Sequence, residues 1–275
     1  MLIEVRRRAR MLLVMGTLAI ATTPLFAHDL FLKLSSYFLP PNTLVRAILL
    51  NGTFAKSESA VTRERVADVA LIGPSGRETL DTAVLSAHHD TTDLHFRTGE
   101  PGTYVLGVSV RPRDIALTGE QFNAYLKEEG IEDVLAERTR AGMLAEPAKE
   151  RYAKHVKAIF QVGNVRTDTY NTLLGYGAEL VPLENPYSVK RGGTLRVRCL
   201  INGQAIAGLT VLAGGVTSKG AAIHETRGRS DADGIAEVRL RSAGRWYVKF
   251  IRMQRSTAPG INYESQWATL TFEVR

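Results

Sequence analysis

The sequence predicts a mainly β protein made of two β-sandwich domains, the first with a helical insert and the second immunoglobulin-like. Three observations predict it. Short apolar or alternating runs recur between Gly, Pro, Asn and Asp turns; one stretch breaks that rhythm with helical spacing; and a Pro-rich segment separates two strand-rich halves.

From His28 to Val110 the runs are Leu44 to Leu50, Val66 to Ile72, Leu94 to Phe96 and Tyr104 to Val110. The clusters Gly73-Pro74-Ser75-Gly76 and Gly99-Glu100-Pro101-Gly102 turn the chain between them. This is the pattern of antiparallel strands.

Thr118-Gly119-Glu120-Gln121 then matches a capping box, with Phe122, Tyr125 and Leu126 at helical spacing and Gly130 as the stop. Ile131, Val134 and Leu135 continue the period on a second short helix. After Glu146-Pro147, the spacing of Tyr152, Val156, Ile159 and Phe160 predicts a third, with Gly163 beyond it. The insert is therefore expected over about 118–162.

Leu180 to Tyr187 contains Pro182 and Pro186 and sets the expected boundary: one domain over 28–180, the other over 181–275. Past it come Thr194 to Ile201, the Asn202-Gly203 turn, Leu209 to Ala213, the Asp231-Ala232-Asp233-Gly234 turn, Ile235 to Leu240, Trp246 to Arg252 and Trp267 to Val274. Evenly spaced short strands with Gly turns predict an immunoglobulin-like sandwich.

The chain has 275 residues, enough for two cores, and 44% of them are hydrophobic. Its single cysteine, Cys199, excludes an internal disulfide and any Cys-built metal cluster. Arg6, Arg7, Arg8 and Arg10 precede the apolar run Met11 to Ile20, which is too short to span a bilayer, so residues 1–27 read as a secretory signal peptide. Cleavage is expected after Ala27, with Ala21 as the alternative. No later run is long enough to cross a membrane, so a periplasmic or secreted protein without a span after processing is expected. Removing four Arg and Glu4 takes away +3, and the formal charge falls from +7 to +4. That modest value argues against nucleic acid as a partner.

If processing exposes His28, its amine and imidazole can chelate one metal ion from a single residue, with Asp29 beside it as a carboxylate. A second group of donors is His88-His89-Asp90 with Asp93 and His95; on a strand, Asp93 and His95 share a face. Imidazole suits nickel, copper, cobalt and zinc alike. A solvated loop entering an edge strand is the favoured explanation of that second group. His155 lies among Arg151, Lys154 and Lys157 and reads as a surface residue, and His224 has no second ligand near it in sequence. The Asp231 to Gly234 segment lacks the late bidentate Glu of a calcium loop and reads as a turn. There is no Gly-x-Ser-x-Gly elbow and no phosphate-binding Gly loop, so no enzyme is expected. Trp246, Tyr247, Tyr263 and Trp267 are expected in the core or between domains; exposed, they would suit a sugar.

Ala27-His28-Asp29-Leu30-Phe31-Leu32 resembles the start of the exported family called domain of unknown function 4198, whose members are often labelled periplasmic components of nickel or cobalt uptake. Gln121 to Gly130 resembles the family's "FxxYLxEEG" segment, Arg151 to Lys157 its "RYxxxxK" segment, Glu179 to Tyr187 its interdomain segment, and Tyr263 to Phe272 its "WESYWATLTF" closing strand. The resemblance spans nearly the whole chain after residue 27. It implies an extracytoplasmic, non-enzymatic, two-domain β protein that binds a nickel or cobalt ion and serves a membrane metal transporter. The expected primary ligands are the amine and imidazole of His28, with Asp29, His95 or Glu264 completing the sphere. One departure matters: Arg252 stands before Met253 where many members have His, replacing a ligand by a cation. Two other readings remain: a metal-free module binding glycan or a partner protein, and a copper oxygenase using His28 with a second His.

Overall fold

The computed structural model describes residues 28–275; the expected signal peptide lies outside them. In chain order the elements are β1 Asp29–Leu34, β2 Phe38–Leu39, β3 Leu44–Gly52, β4 Ser57–Ser59, β5 Val66–Gly73, β6 Gly76–Thr79, β7 Leu85–His88, β8 Thr91–Arg97 and β9 Gly102–Leu117. Two helices follow, α1 Gly119–Glu128 and α2 Glu132–Arg140. The chain then returns to strands: β10 Ala148–Val162, β11 Ala178–Pro182, β12 Thr194–Ile201, β13 Gln204–Ala205, β14 Thr210–Thr217, β15 Ala222–Arg229, β16 Ile235–Arg239, β17 Gly244–Arg255 and β18 Tyr263–Val274. The protein is mainly β and sandwich-like.

Three sheets form three layers. The central one runs β15-β14-β17-β18-β10-β9-β5-β6, with β2 added to β10. The sheet β1-β3-β8-β7, with β4 on β3, covers one face: Thr269 Oγ1 donates to the Leu30 carbonyl at 2.8 Å, and Thr271 Oγ1 donates to that of Leu32. The sheet of β11, β12, β13 and β16 covers the other, where Lys157 meets Glu179.

The expected third helix is corrected to strand β10. Its alternate residues Val156, Ala158, Phe160 and Val162 pack toward β1, while His155, Lys157, Ile159 and Gln161 face the opposite layer. Nearly all are buried. A strand covered on both faces loses its polar alternation, so its apolar spacing imitates a helix. The helical insert is thus α1 and α2 alone. The capping box at Thr118 and Gln121 is formed, and Gly130 ends the first helix with φ +69°.

The expected boundary at 180/181 falls inside β11, and the central sheet crosses it. β10 and β18 pair in parallel, Glu150 with Tyr263 through Ala158 with Thr271. One apolar cluster joins Leu30 and Leu106 to Val197, Phe250 and Phe272. The Asn202-Gly203 hairpin is as the sequence reads, with positive φ at both residues.

Lys157 and Glu179 form a buried ion pair at 2.5 Å, and the Glu179 carboxylate also accepts the backbone N–H groups of Leu174, Gly175 and Tyr176 at 2.9–3.0 Å. Removing one partner leaves the other charge buried and unpaired. Lys157→Met is expected to cost about 3–5 kcal/mol in urea denaturation, and adding Glu179→Gln to recover part of that loss. Additive losses in the double variant would show the two groups do not interact.

Candidate functional site

β1 begins at the edge of the sandwich, and its first residues are fixed by long-range contacts. His28 Nε2 lies 3.0 Å from a Glu58 carboxylate oxygen, its ring being partly exposed. The His28 carbonyl accepts from Lys154 Nζ. With Nε2–H donating to the Glu58 carboxylate, the neutral ring carries its lone pair on Nδ1.

Asp29 is differently employed. Its Oδ2 is 2.5 Å from Lys249 Nζ, and Glu129 Oε2, just past the end of α1, is 2.8 Å from the same ammonium. Lys249 is therefore clamped between two carboxylates, one from β1 and one from the helical insert, with all three largely buried. Burial lowers the Lys249 pKa, but Asp29 and Glu129 outweigh it and hold the group well above the ordinary lysine range. Burial, then repulsion from Asp29, raises Glu129 to about 7 against the pull of Lys249.

Beside this clamp lies Lys154 on β10. Burial lowers it to about 8, opposed by Asp29 and Glu150. Its ammonium stands 4.7 Å from the centre of the Trp267 ring and 5.0 Å from that of Tyr152. Glu150 is raised by burial and accepts from Ser265 and, at 3.2 Å, from the Tyr125 hydroxyl.

The structure brings His28 and Asp29 together and leaves the other two expected ligands elsewhere. Arg46 is opposite His95 and Gly52 opposite Asp29, so His95 lies six positions away along β3, ~20 Å by strand rise. There it is exposed beside the Arg46 guanidinium, which grips Asp93 through two 2.8 Å bonds. Glu264 is five positions from Thr269, the register partner of Lys249, or ~16 Å along β18, and accepts from Ser256 at 2.8 Å. His88 and His89 sit exposed on the β7–β8 turn. Among the described residues no three His, Cys, Asp or Glu side chains cluster as a metal site.

Several other expectations meet direct geometry. The reading of His155 as a surface residue is corrected: it is buried, with Nδ1 2.9 Å from Ser109 Oγ, Nε2 2.8 Å from Gln266 Oε1 and its ring stacked on Tyr176. Burial lowers its pKa. Arg252 points to α2 and pairs with Asp133 at 3.3 Å. Asp231 Oδ1 accepts the N–H groups of Asp233 and Ile235, closing a turn. Trp246, Tyr263 and Trp267 are in the core, so neither tryptophan offers a sugar-binding surface.

Glu58, Glu129, Lys154 and Lys249 escaped the sequence reading. Lys249 alone carried a signal, a lysine between Val248 and Phe250 inside an apolar strand. The partners of the other three are set only by the fold.

The profile of the family described as "Domain of unknown function (DUF4198)" matches residues 25–254. No curated protein matches the chain. Among solved structures, a DUF4785 family protein from Legionella pneumophila is 14% identical, the alignment covering 80% of this chain and 50% of that one, with a TM-score of 0.25. Escherichia coli alpha-2-macroglobulin activated by porcine elastase is 10% identical over 90% of this chain and 20% of its own, at 0.26. The tetra-tandem repeat in the extending region of a large adhesion protein is 10% identical, covering 90% and 49%, at 0.22. The chain thus spans half or less of each.

The depressed Lys154 pKa has a measurable consequence. Between about 8 and the ordinary lysine value of 10.5 the unfolded chain binds more protons at this group than the folded one, so its contribution to stability rises with pH across that window. The stability of the unsubstituted protein minus that of Lys154→Met, from urea titrations at successive pH values, is expected to climb there. A flat or falling difference would contradict the buried, charged placement.

Proposed function

The chain belongs to the family of domain of unknown function 4198, and we propose that it is an extracytoplasmic accessory protein that takes up a nickel or cobalt ion at His28 and presents it to a membrane uptake system. The observation that carries this reading is the contact of His28 Nε2 with Glu58. A metal-binding imidazole typically donates its other ring N–H to a carboxylate, which fixes the tautomer and raises the basicity of the donor nitrogen. Here that donor is Nδ1, the ring nitrogen nearest the residue's own main chain. After cleavage behind Ala27, Nδ1 and the new amine would close a six-membered chelate.

The main chain of His28 is immobilised for this purpose by Lys154 on its carbonyl and by the Lys249 clamp on the next residue. Holding both donors in place lowers the ordering cost of binding. Asp29, committed to Lys249, serves as an anchor instead of a ligand. Two nitrogen donors at a partly exposed edge leave open coordination positions. That suits an ion to be handed on better than one kept as a structural part.

The copper oxygenase alternative requires a second imidazole beside His28, and His95 is ~20 Å away. The glycan alternative loses Trp246 and Trp267 to the core.

Calorimetric titration of the exported protein with nickel is expected to give one site per chain. His28→Ala should abolish it, and Glu58→Gln should weaken it by roughly 10- to 100-fold through the lost orienting bond. Unchanged affinity in His28→Ala would refute the assignment.

A further inference from the structure

Next to the seat of β1 is a cavity of about 110 Å³ that the metal reading does not use. It opens where the central sheet is irregular. Between the pairs Tyr152–Arg113 and Lys154–Val110, two β9 residues, Arg111 and Pro112, oppose Ala153 alone; one pair further, β5 carries the extra residue Ala67 between Val66 and Asp68. Bulges of this kind bend strands and re-aim side chains, and they are common beside binding sites.

The walls divide into two kinds. Leu30, Val61 and Val110 give an apolar side, and Arg65, Arg113 and Lys154 bring three cations to the same space. Lys154 is 4% exposed, and of its three N–H donors one is used, on the His28 carbonyl. Arg65 donates through Nη2 to the Arg111 carbonyl at 3.1 Å, while its Nε is buried with no acceptor among the described residues. No neighbouring carboxylate pairs directly with Lys154: Asp29 and Glu129 bind Lys249, Glu150 Oε1 accepts from Ser265 and Tyr125, Glu58 meets His28 and Asp114 meets Arg151, while Asp29 Oδ1 and Glu150 Oε2 are buried without a hydrogen bond. Buried donors without acceptors are costly, and a buried cation lacking a contacting anion more so.

We propose that this cavity binds a short organic acid, its carboxylate received by Lys154, Arg65 and Arg113 and its carbon chain lying against Leu30, Val61 and Val110. The volume admits several waters or one small molecule of that class. An inorganic oxyanion has no use for the apolar side, which is why the carboxylate is favoured over phosphate. None of the metal donors lines the cavity, and although Lys154 also holds the His28 carbonyl, carboxylate binding by metal-free protein is read independently of the nickel reading.

The experiment is calorimetric titration of the exported, metal-free protein near pH 6.5 and at low salt, with acetate, succinate and inorganic phosphate as separate probes. Acetate or succinate is expected to bind saturably, one per chain, and more weakly as salt rises. Arg113→Gln, at an exposed position that leaves the fold intact, should weaken binding about tenfold by removing a charge-assisted contact, and Lys154→Met should abolish it. No saturable binding of either carboxylate at millimolar concentration, binding of phosphate alone, or equal affinity in Arg113→Gln and the unsubstituted protein would each overturn the proposal.

Discussion

A single buried ammonium, that of Lys249, organises one end of this molecule. It lies between the Asp29 and Glu129 carboxylates, so one side chain of the central sheet ties down both the first strand of the sandwich and the end of helix α1. Desolvating three charges is expensive, and their attraction in a low-dielectric setting offsets the cost only when the geometry is held. A group of this kind therefore adds more to specificity than to net stability: with any one member displaced, the other charges are buried without balance. The consequence is positional, since β1 can dock in one register and α1 can approach from one side.

The layers around the clamp reinforce it. Thr269 and Thr271 of β18 hydrogen-bond the carbonyls of Leu30 and Leu32, continuing the attachment of β1 along the sheet. The ring of Trp267 stacks on Tyr125 of α1 at 5.8 Å and also lies under Lys154, joining helix, sheet and first strand in one cluster. Segments far apart in sequence thus meet here: the His28-Asp29 start, Glu129 before Gly130, Lys154 on β10, and the Trp267 to Phe272 stretch of β18. Each of them lies in a segment through which the chain resembles its family. What they build together is a fixed platform for the main chain at His28.

Much of the fold was legible because its signals are local. Asn202-Gly203 forms its hairpin, Thr118 and Gln121 form their reciprocal cap, and β12, β14, β16, β17 and β18 fall close to where alternation puts them, whereas the polar, exposed edge strand β15 carries no apolar pattern to reveal it. β10 was misread because the sandwich covers both its faces: with Lys154 and Lys157 inside and apolar residues on either side, the period of two vanishes. The parallel pairing of β10 with β18 joins residues more than a hundred positions apart and leaves no local trace. The site was legible only in part for the same reason. His28 and Asp29 are neighbours in sequence and could be singled out together, whereas Glu58, Glu129, Lys154 and Lys249 become partners only through tertiary contacts. His95 and Glu264 matched the chemistry sought but are separated from β1's first residues by strand length.

The proposed chelation at His28 depends on a chain start held by Lys154, Lys249 and Glu58, and the amine is the donor on which it turns. The most direct measurement compares the nickel affinity of a chain beginning at His28 with that of a chain retaining Ala27 in front of it, both purified and otherwise identical. Adding that one residue converts the amine into a peptide nitrogen while leaving every side chain in place. Affinity is expected to fall by at least about 100-fold, the order of one lost metal–nitrogen bond in a two-donor site. Equal affinity in the two chains would contradict it.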